Sequence, residues 1–503
     1  MITASTDPGK DGKASTGIVG LDDILGGGLA RNRLYLLEGS PGTGKTTIAL
    51  QFLLEGAARG ETGLYITLSE TEEELRDSAA SHGWTLDGHV TVFELAPPES
   101  LLDADQQQSL LYSSDLELGE STRQIFEQVE RSRPSRIVLD SLSEIRLLAN
   151  SSLRYRRQIL ALKHYFSRHD ATVLMLDDLT ADALDKTVHS VAHGVIRLEE
   201  LAPDYGAERR RVRIVKYRGQ RFRGGNHDFA IDTGGVQVFP RLVSLEHKTT
   251  FARVRRTSGI AQLDALLGGG LETGSSTLIL GPAGAGKSLL AVQYVCAAVA
   301  RGERAAMFVF DEELGGLLER TRAMGFDLAG MRERGQLTIE QVDAAELSPG
   351  EFAHRVRSQV TQANAKTVVI DSLNGYQAAM PEEVALILHI HELLQFLNRQ
   401  GATTFLTVAQ HGLLGDMKSP VDVTYLADTV LLLRYFEALG NVRRAISVVK
   451  KRQGSHENTI REYTISEHGL TLGEPLKDFQ GVLRGIPTPV ASAGKGHLDQ
   501  PHP

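Results

Sequence analysis

The run Thr16-Gly-Ile-Val-Gly-Leu-Asp-Asp-Ile-Leu-Gly-Gly-Gly-Leu29 returns later in the same chain as Ser258-Gly-Ile-Ala-Gln-Leu-Asp-Ala-Leu-Leu-Gly-Gly-Gly-Leu271. A repeat of this length fixes the architecture before any local reading, because each copy must fold as the same unit. Gly17 and Gly259 lie 242 residues apart, and the same spacing separates Lys45 from Lys287 and Arg59-Gly60 from Arg301-Gly302. Asp140 and Asp371 are only 231 apart, so the first copy holds 11 extra residues, which we place in the polar stretch from Pro97 to Glu120. Matching ends, Lys216-Tyr-Arg218 and Lys450-Lys-Arg452, carry the repeat through both copies. The expected organisation is a tail at 1–13, a first domain at 14–246, a second at 247–482 and a proline-rich tail at 483–503, too poor in apolar residues to fold alone.

Within each copy, short apolar runs alternate with longer amphipathic ones. Leu34–Glu38, Gly63–Leu68, Arg136–Leu139 and Thr172–Leu176 read as buried strands, and Thr46–Arg59 and Leu153–Arg168 as helices. This order predicts an α/β class: two tandem domains, each a mainly parallel sheet flanked by helices.

The chemistry is carried first by two phosphate loops. Gly39-Ser40-Pro41-Gly42-Thr43-Gly44-Lys45-Thr46, continued by Thr47, and Gly281-Pro282-Ala283-Gly284-Ala285-Gly286-Lys287-Ser288, continued by Leu289, each match the pattern in full between an expected strand and an expected helix. The glycines let main-chain N–H groups turn inward around phosphate oxygens, and the helix end adds partial positive charge. Lys45 and Lys287 are placed to reach the terminal phosphates of ATP, and the Thr46 and Ser288 hydroxyls to bind Mg²⁺. Asp140 and Asp371 end the strands Arg136–Leu139 and Thr367–Ile370, where the second Mg²⁺-orienting group belongs. A carboxylate to activate the attacking oxygen is sought at the end of the next strand: Glu70 in the first copy, and Asp311 and Glu312 in the second. Their neighbours Glu72, Glu73, Glu74 and Glu313 also suit a helix start.

Composition narrows the partners. Fifty-four basic against 63 acidic residues leave a net charge of −9, the wrong sign for coating a polyanion. No run of 18 apolar residues exists to cross a membrane, and the polar start, Met1-Ile-Thr-Ala-Ser-Thr-Asp, lacks the apolar stretch of an export signal, so a cytoplasmic protein is expected. The single cysteine, Cys296, excludes an intrachain disulfide and reads as a core residue. Two basic clusters, Arg154-Tyr-Arg-Arg157 and Glu208-Arg-Arg-Arg211, are either nucleic-acid patches or solvated and subunit-contact faces.

Two openings of the form Thr/Ser-Gly-Ile…Leu-Asp…Gly-Gly-Gly-Leu, two phosphate loops, two Asp-Ser-Leu strand ends and two Lys-x-Arg motifs resemble the KaiC family, a branch of the RecA-like ATPases, from Thr16 to about Pro489. The resemblance implies a double-ring homohexamer with ATP bound between subunits, hydrolysis mainly in the first ring and serine/threonine autophosphorylation in the second. It implies a circadian or related signalling role, a KaiB-like partner on the first ring and downstream signalling partners. By the same resemblance, Lys216, Arg218, Lys450 and Arg452 reach a neighbour's γ-phosphate, and the phosphoacceptor pair falls on Thr424 and Tyr425. The family's paired glutamates become Ser69-Glu70 and Asp311-Glu312, so first-ring hydrolysis rests on Glu70. Two other readings stay open: a RecA/RadA-like DNA-dependent ATPase, and an ATP-binding switch without kinase activity.

Overall fold

The computed structural model describes residues 12–95, 110–149, 151–179, 187–203, 206–378, 380, 383–410, 424–438, 440–467, 469–482 and 488–489. The chain divides into two compact units, Met1–Arg241 and Leu242–Pro503.

The first unit is built on nine strands: β1 Leu34–Gly39, β2 Gly63–Thr67, β3 Val90–Glu94, β4 Arg136–Asp140, β5 Thr172–Asp178, β6 Gly194–Leu201, β7 Arg209–Tyr217, β8 Asn226–Asp232 and β9 Gly235–Phe239. They lie in the order β9-β8-β7-β6-β1-β5-β4-β2-β3. The pairs from β6 through β1 to β3 are parallel, whereas β6-β7-β8-β9 is an antiparallel meander. The second unit repeats this with β10 Ser276–Gly281, β11 Arg304–Val309, β12 Leu337–Gln341, β13 Ala365–Asp371, β14 Thr403–Ala409, β15 Thr429–Ala438, β16 Asn441–Lys451, β17 Ile460–Ser466 and β18 Gly469–Pro475. Its order, β12-β11-β13-β14-β10-β15-β16-β17-β18, is the first order shifted by nine and reversed in direction of reading.

Both faces of each sheet are covered, so the central strands are apolar without alternation. Every residue of β1, β2, β4 and β10 is buried. Each sheet separates two apolar clusters, one around Leu37, Phe52 and Leu174 and one around Leu36, Ile137 and Ile159 in the first unit. Arg136 is the exception that shows the cost of burial. Its guanidinium is inaccessible to solvent, pairs with Glu61 (2.5 Å), donates to the carbonyls of Ser15 and Phe52 and lies 4.7 Å from the Phe52 ring centre. A Cβ on Gly56 would lie 2.5 Å from the Arg136 Cδ, so glycine makes room for it.

The expected helices form as Lys45–Ala58 and Ser152–Arg168, one residue from their sequence-based bounds. The length difference is distributed otherwise than expected. Gly63 pairs with Val90 and Ala305 with Leu337, so the offset between copies grows from 242 to 247 before falling to 231 at the aspartates. The first copy therefore lacks five residues where the second inserts the helix Leu328–Glu333, and gains 16 between its third strand and Asp140. Much of that gain is helix rather than loop: Leu110–Ser132 spans 23 residues against 13 in Pro349–Thr361. The stretch assigned to a polar loop thus becomes helical from Leu110, because its apolar spacing continues through Leu118, Ile125 and Val129 onto the core. Residues 96–109 lie outside the described residues.

Among the described residues no helix is long and apolar enough to cross a membrane. Cys296 is half-buried rather than fully enclosed, packs on the apolar cluster of the second unit, and burial pushes its thiol up to about 12.

Candidate functional site

The phosphate loops leave the carboxyl ends of β1 and β10, each the strand flanked by the two halves of its sheet, where open α/β sheets form a crevice. Helices Lys45–Ala58 and Lys287–Ala300 start behind Gly44 and Gly286, both at φ 92°, a left-handed conformation that side chains resist. Space forbids a side chain there as well: an added Cβ would lie 2.5 Å from Ile231 Cδ1 and 2.6 Å from Ile465 Cδ1.

The two lysines differ in their partners. Lys45 Nζ donates to the carbonyls of Gly39 (2.8 Å) and Ser40 (2.9 Å) and pairs with Asp178 Oδ1 at 2.8 Å. Lys287 Nζ donates to Pro282 O (2.9 Å), and burial lowers its pKa against the opposing charges of Asp371 and Asp311. Asp178 escaped the sequence reading because the strand was ended at Leu176; it is the last residue of β5, beside Gly39. The aligned position in the second copy is Ala409, by the same offset of 231 that relates the two strand-ending aspartates.

In the first copy, Asp140 accepts a hydrogen bond from the Tyr65 hydroxyl, which also meets the Thr46 side chain. Burial, and then the charge of Asp178, raise the Asp140 carboxyl, against the Tyr65 hydrogen bond and Lys45. Glu70 stands at the same end of the sheet, its backbone N–H held by Thr67 Oγ1 at 2.9 Å. Its carboxyl is raised by burial and by the charges of Asp140, Glu74 and Asp178. A carboxyl shifted up in a phosphate-binding crevice is suited to accept a proton from an attacking water. Ser69 beside it is exposed.

The second copy orders its acids differently. Asp311 accepts from the Ser372 hydroxyl, next to Asp371, which itself accepts from the Thr407 hydroxyl. Glu312 is engaged by Arg320 through two hydrogen bonds of 3.0 and 2.7 Å. The structure therefore brings Asp311, Asp371 and Lys287 together and holds the Glu312 carboxylate in an ion pair. Glu74 and Glu313 perform the structural duty open to them, capping the helices Glu72–Ser81 and Leu314–Ala323. The peptide bonds Asp140–Ser141 and Asp371–Ser372 are both cis.

The donor sets fit Mg²⁺. Thr46 with Asp140, and Ser288 with Asp371, offer hard oxygen ligands at the helix start and the neighbouring strand end. Among the described residues no cluster of three or more His, Cys, Asp or Glu forms a cage. Few protein ligands beside phosphate oxygens and water is the arrangement this ion prefers.

Lys216 and Arg218 stand at the opposite end of the sheet. Arg218 N–H bonds to His193 O (3.0 Å) and His193 N–H to Leu34 O (2.8 Å), which sets Arg218 level with the start of β1. The phosphate loop begins five residues on, at Gly39, roughly 17 Å away along a strand. Lys216 Nζ donates to His189 O and Ala192 O, and Arg218 Nη2 to Ser190 O. The second copy repeats this placement: Arg452 is level with Asp428 and Ser276, five residues before Gly281, and Lys450 Nζ donates to Thr424 O (2.9 Å) and Ala427 O (2.8 Å). Neither pair is placed to serve its own phosphate loop. Thr424, half-buried, and Tyr425, 51% exposed, sit at this far end too, with the Tyr425 carbonyl held by Arg452. Residues 411–423, with the rest of the segment that carries the acceptors, lie outside the described residues.

The two basic clusters differ: Arg154, Arg156 and Arg157 of the first are exposed. Tyr155 is buried beneath Arg146 rather than offered for base stacking, Arg210 pairs with Glu200 and Glu208, and Arg211 with Asp228.

Comparison with known proteins gives a consistent picture. A family model for the KaiC ATPase matches residues 14–243 and 256–477. The circadian clock protein KaiC3 of Synechocystis sp. is 29% identical over 500 residues, covering 97% of this chain and 96% of that protein. The circadian clock oscillator protein KaiC is 28% identical in Thermostichus vulcanus and 27% in Synechococcus elongatus, each over 97% of this chain and 94% of the relative.

Proposed function

Because the chain belongs to the KaiC family of ATPases, we propose that it works as a homohexameric ATPase and serine/threonine autokinase, each ATP site being completed by a neighbouring subunit. The observation that carries this reading is the position of Lys216-x-Arg218 and Lys450-x-Arg452 at the end of each sheet opposite its own loop. Positive groups repeated in both domains, at the end of the sheet away from their own loop, make sense when a second copy supplies the phosphate, as for an arginine finger.

In the first domain, the loop N–H groups and Lys45 orient the triphosphate; Thr46 and Asp140 would hold Mg²⁺, which would supply neutralising charge to the phosphoryl group. Glu70 accepts the proton of the attacking water. Lys216 and Arg218 of an adjacent copy stabilise the charge that develops on the γ-phosphate. In the second domain, Lys287, Ser288 and Asp371 take the matching parts, and Asp311 accepts a hydroxyl proton in place of a water proton. Thr424 is the acceptor we favour. Transfer to it runs between subunits, since Thr424 sits at the end of the sheet opposite its own loop, its carbonyl held by Lys450.

The three relatives above are named as circadian clock proteins, and we extend to this chain a role in circadian or related signalling, exercised through ATP-driven conformational change. A KaiB-like partner is assigned to the first domain at the 16-residue gain after β3. Deleting 97–109 should abolish partner capture while hexamers persist; a deletion that keeps every interaction removes this assignment.

Assembly is expected to depend on ATP. Lys45→Ala should reduce hexamer content more than Lys287→Ala, and light scattering in ATP and in its absence measures both. Equal hexamer content in both variants and the parent under all conditions counts against it. With labelled ATP and Mg²⁺, Thr424→Ala is expected to lose most incorporated label and Asp311→Asn nearly all. Undiminished label in Thr424→Ala identifies another acceptor. Phosphate release that rises on adding single-stranded DNA would favour the DNA-dependent reading instead.

A further inference from the structure

Beside the far end of β1, the first domain contains a cavity of about 190 Å³ lined by Arg33, Lys163, His193 and Arg218, with Phe166 and Val173 among its apolar walls. Among the described residues, the cations around it are tied to main-chain carbonyls only: Lys163 Nζ to Val191 O (2.9 Å), Arg33 Nη1 to Asn32 O (3.0 Å), Arg218 Nη2 to Ser190 O and the adjacent Lys216 Nζ to Ala192 O (2.8 Å). Among the described residues no carboxylate forms an ion pair with any of them. Asp170, next in the chain to the wall residue Ala171, accepts instead from Asn32 Nδ2 (2.9 Å). Burial and then the neighbouring positive charges depress Lys163, Lys216 and His193, which is the mark of cations crowded without a counter-charge.

The second domain lacks this field. By strand register Arg33 corresponds to Ser275, and His193 to Asp428, each directly preceding the matched strand residues. Asp428 pairs with Arg452 at 3.6 Å and accepts from Ser276 Oγ (3.1 Å) and Asn398 Nδ2 (3.0 Å). Lys163 corresponds to the buried Leu394, by the 231-residue offset of Arg168 and Arg399 at the two helix ends. One domain thus supplies its own carboxylate to the arginine and fills the space, whereas the other leaves a positive, open cavity.

We propose that this cavity is a binding site for a small phosphate anion, held by Arg33, Lys163 and His193, with Arg218 at its edge left to its trans-acting role. Guanidinium and ammonium groups converging on an oxyanion give charge-assisted hydrogen bonds, the strongest available to such a ligand. The cavity suits a small ligand: 190 Å³ is below the roughly 300–1,000 Å³ of sites for drug-sized molecules. Orthophosphate is of a size that the cavity can enclose. The site goes beyond the ATPase reading and needs neither a neighbour nor a phosphate loop.

Phosphate of two origins has the right chemistry, free orthophosphate and the γ-phosphate of a neighbour's nucleotide, and a calorimetric titration separates them. The full chain is first saturated with Mg²⁺ and the non-hydrolysable analogue AMP-PNP, which fills every γ-position, and orthophosphate is then added. One phosphate per chain is expected to bind, with affinity reduced roughly tenfold or more in Arg33→Gln/Lys163→Gln and in His193→Asp, which installs the carboxylate of the second domain. Arg33→Lys/Lys163→Arg should retain binding, and unchanged AMP-PNP affinity in every variant reports an intact fold. Absence of binding to the parent, equal binding in all variants, or binding only when ADP replaces AMP-PNP overturns the proposal; the last outcome leaves the trans-acting role of Arg218 standing.

Discussion

Replacing Glu70 with glutamine is expected to lower ATP hydrolysis by the first domain roughly 10²–10⁴-fold while leaving ATP binding in place. Glutamine keeps the shape and the hydrogen-bonding capacity but cannot accept the water's proton. The neighbouring groups are engaged or unsuited: Ser69 is a hydroxyl, Asp140 accepts from Tyr65, Asp178 pairs with Lys45, and Glu74 caps its helix. The pH profile should carry the same signature. Burial and the charges of Asp140, Glu74 and Asp178 raise the Glu70 carboxyl, so it takes up a proton at higher pH than an ordinary carboxylate. The working form is ionised; hydrolysis therefore falls as pH drops, starting above the usual carboxylate range, and Glu70→Gln should show a low rate without that limb. Phosphate release by the Lys287→Ala background, with and without Glu70→Gln, isolates the first domain. An unchanged rate would transfer the role of base elsewhere.

Arg218→Ala is the second substitution with a large expected effect, a loss of roughly 10³–10⁵-fold in first-domain hydrolysis, the range that a trans-acting arginine contributes. Its own loop begins about 17 Å further along the sheet, so the loss arises at a neighbour's site. ATP affinity should change little, since the loop of the substituted chain is intact. Arg452→Ala should act in the same way on labelling of the second domain.

Much of this site is written in local sequence. A phosphate loop is a contiguous motif, and its conformation follows from glycines at fixed positions and an apolar strand before it. The strands β1, β2, β4 and β5 were found within one or two residues because both faces of the sheet are covered and the runs are continuously apolar. Asp178 was not legible: its role comes from a neighbour across the sheet, Gly39, 139 positions earlier in the chain. The same holds for Glu38, which is buried just before the loop and pairs with His189 and Arg197 at 2.7 Å each. The length difference was legible only as a net value. A net gain of 11 concealed a loss of five and a gain of 16, which local pattern matching cannot separate without the strand register. The fates of Asp311 and Glu312 likewise depend on Ser372 and Arg320, residues that only folding brings to them.

The central claim is that each first-domain site is shared between two chains, and mixing two defective chains measures it directly. Glu70→Gln spoils the chain's own site and Arg218→Ala spoils the neighbour's, both in the Lys287→Ala background. If sites are shared around a closed ring, a random equal mixture regains about a quarter of the parental hydrolysis, because one site in four joins an intact Glu70 to an intact Arg218. Recovery to that level after co-assembly is the expected result. A mixture as inactive as its two components, or an Arg218→Ala chain that hydrolyses ATP at the parental rate on its own, would contradict it.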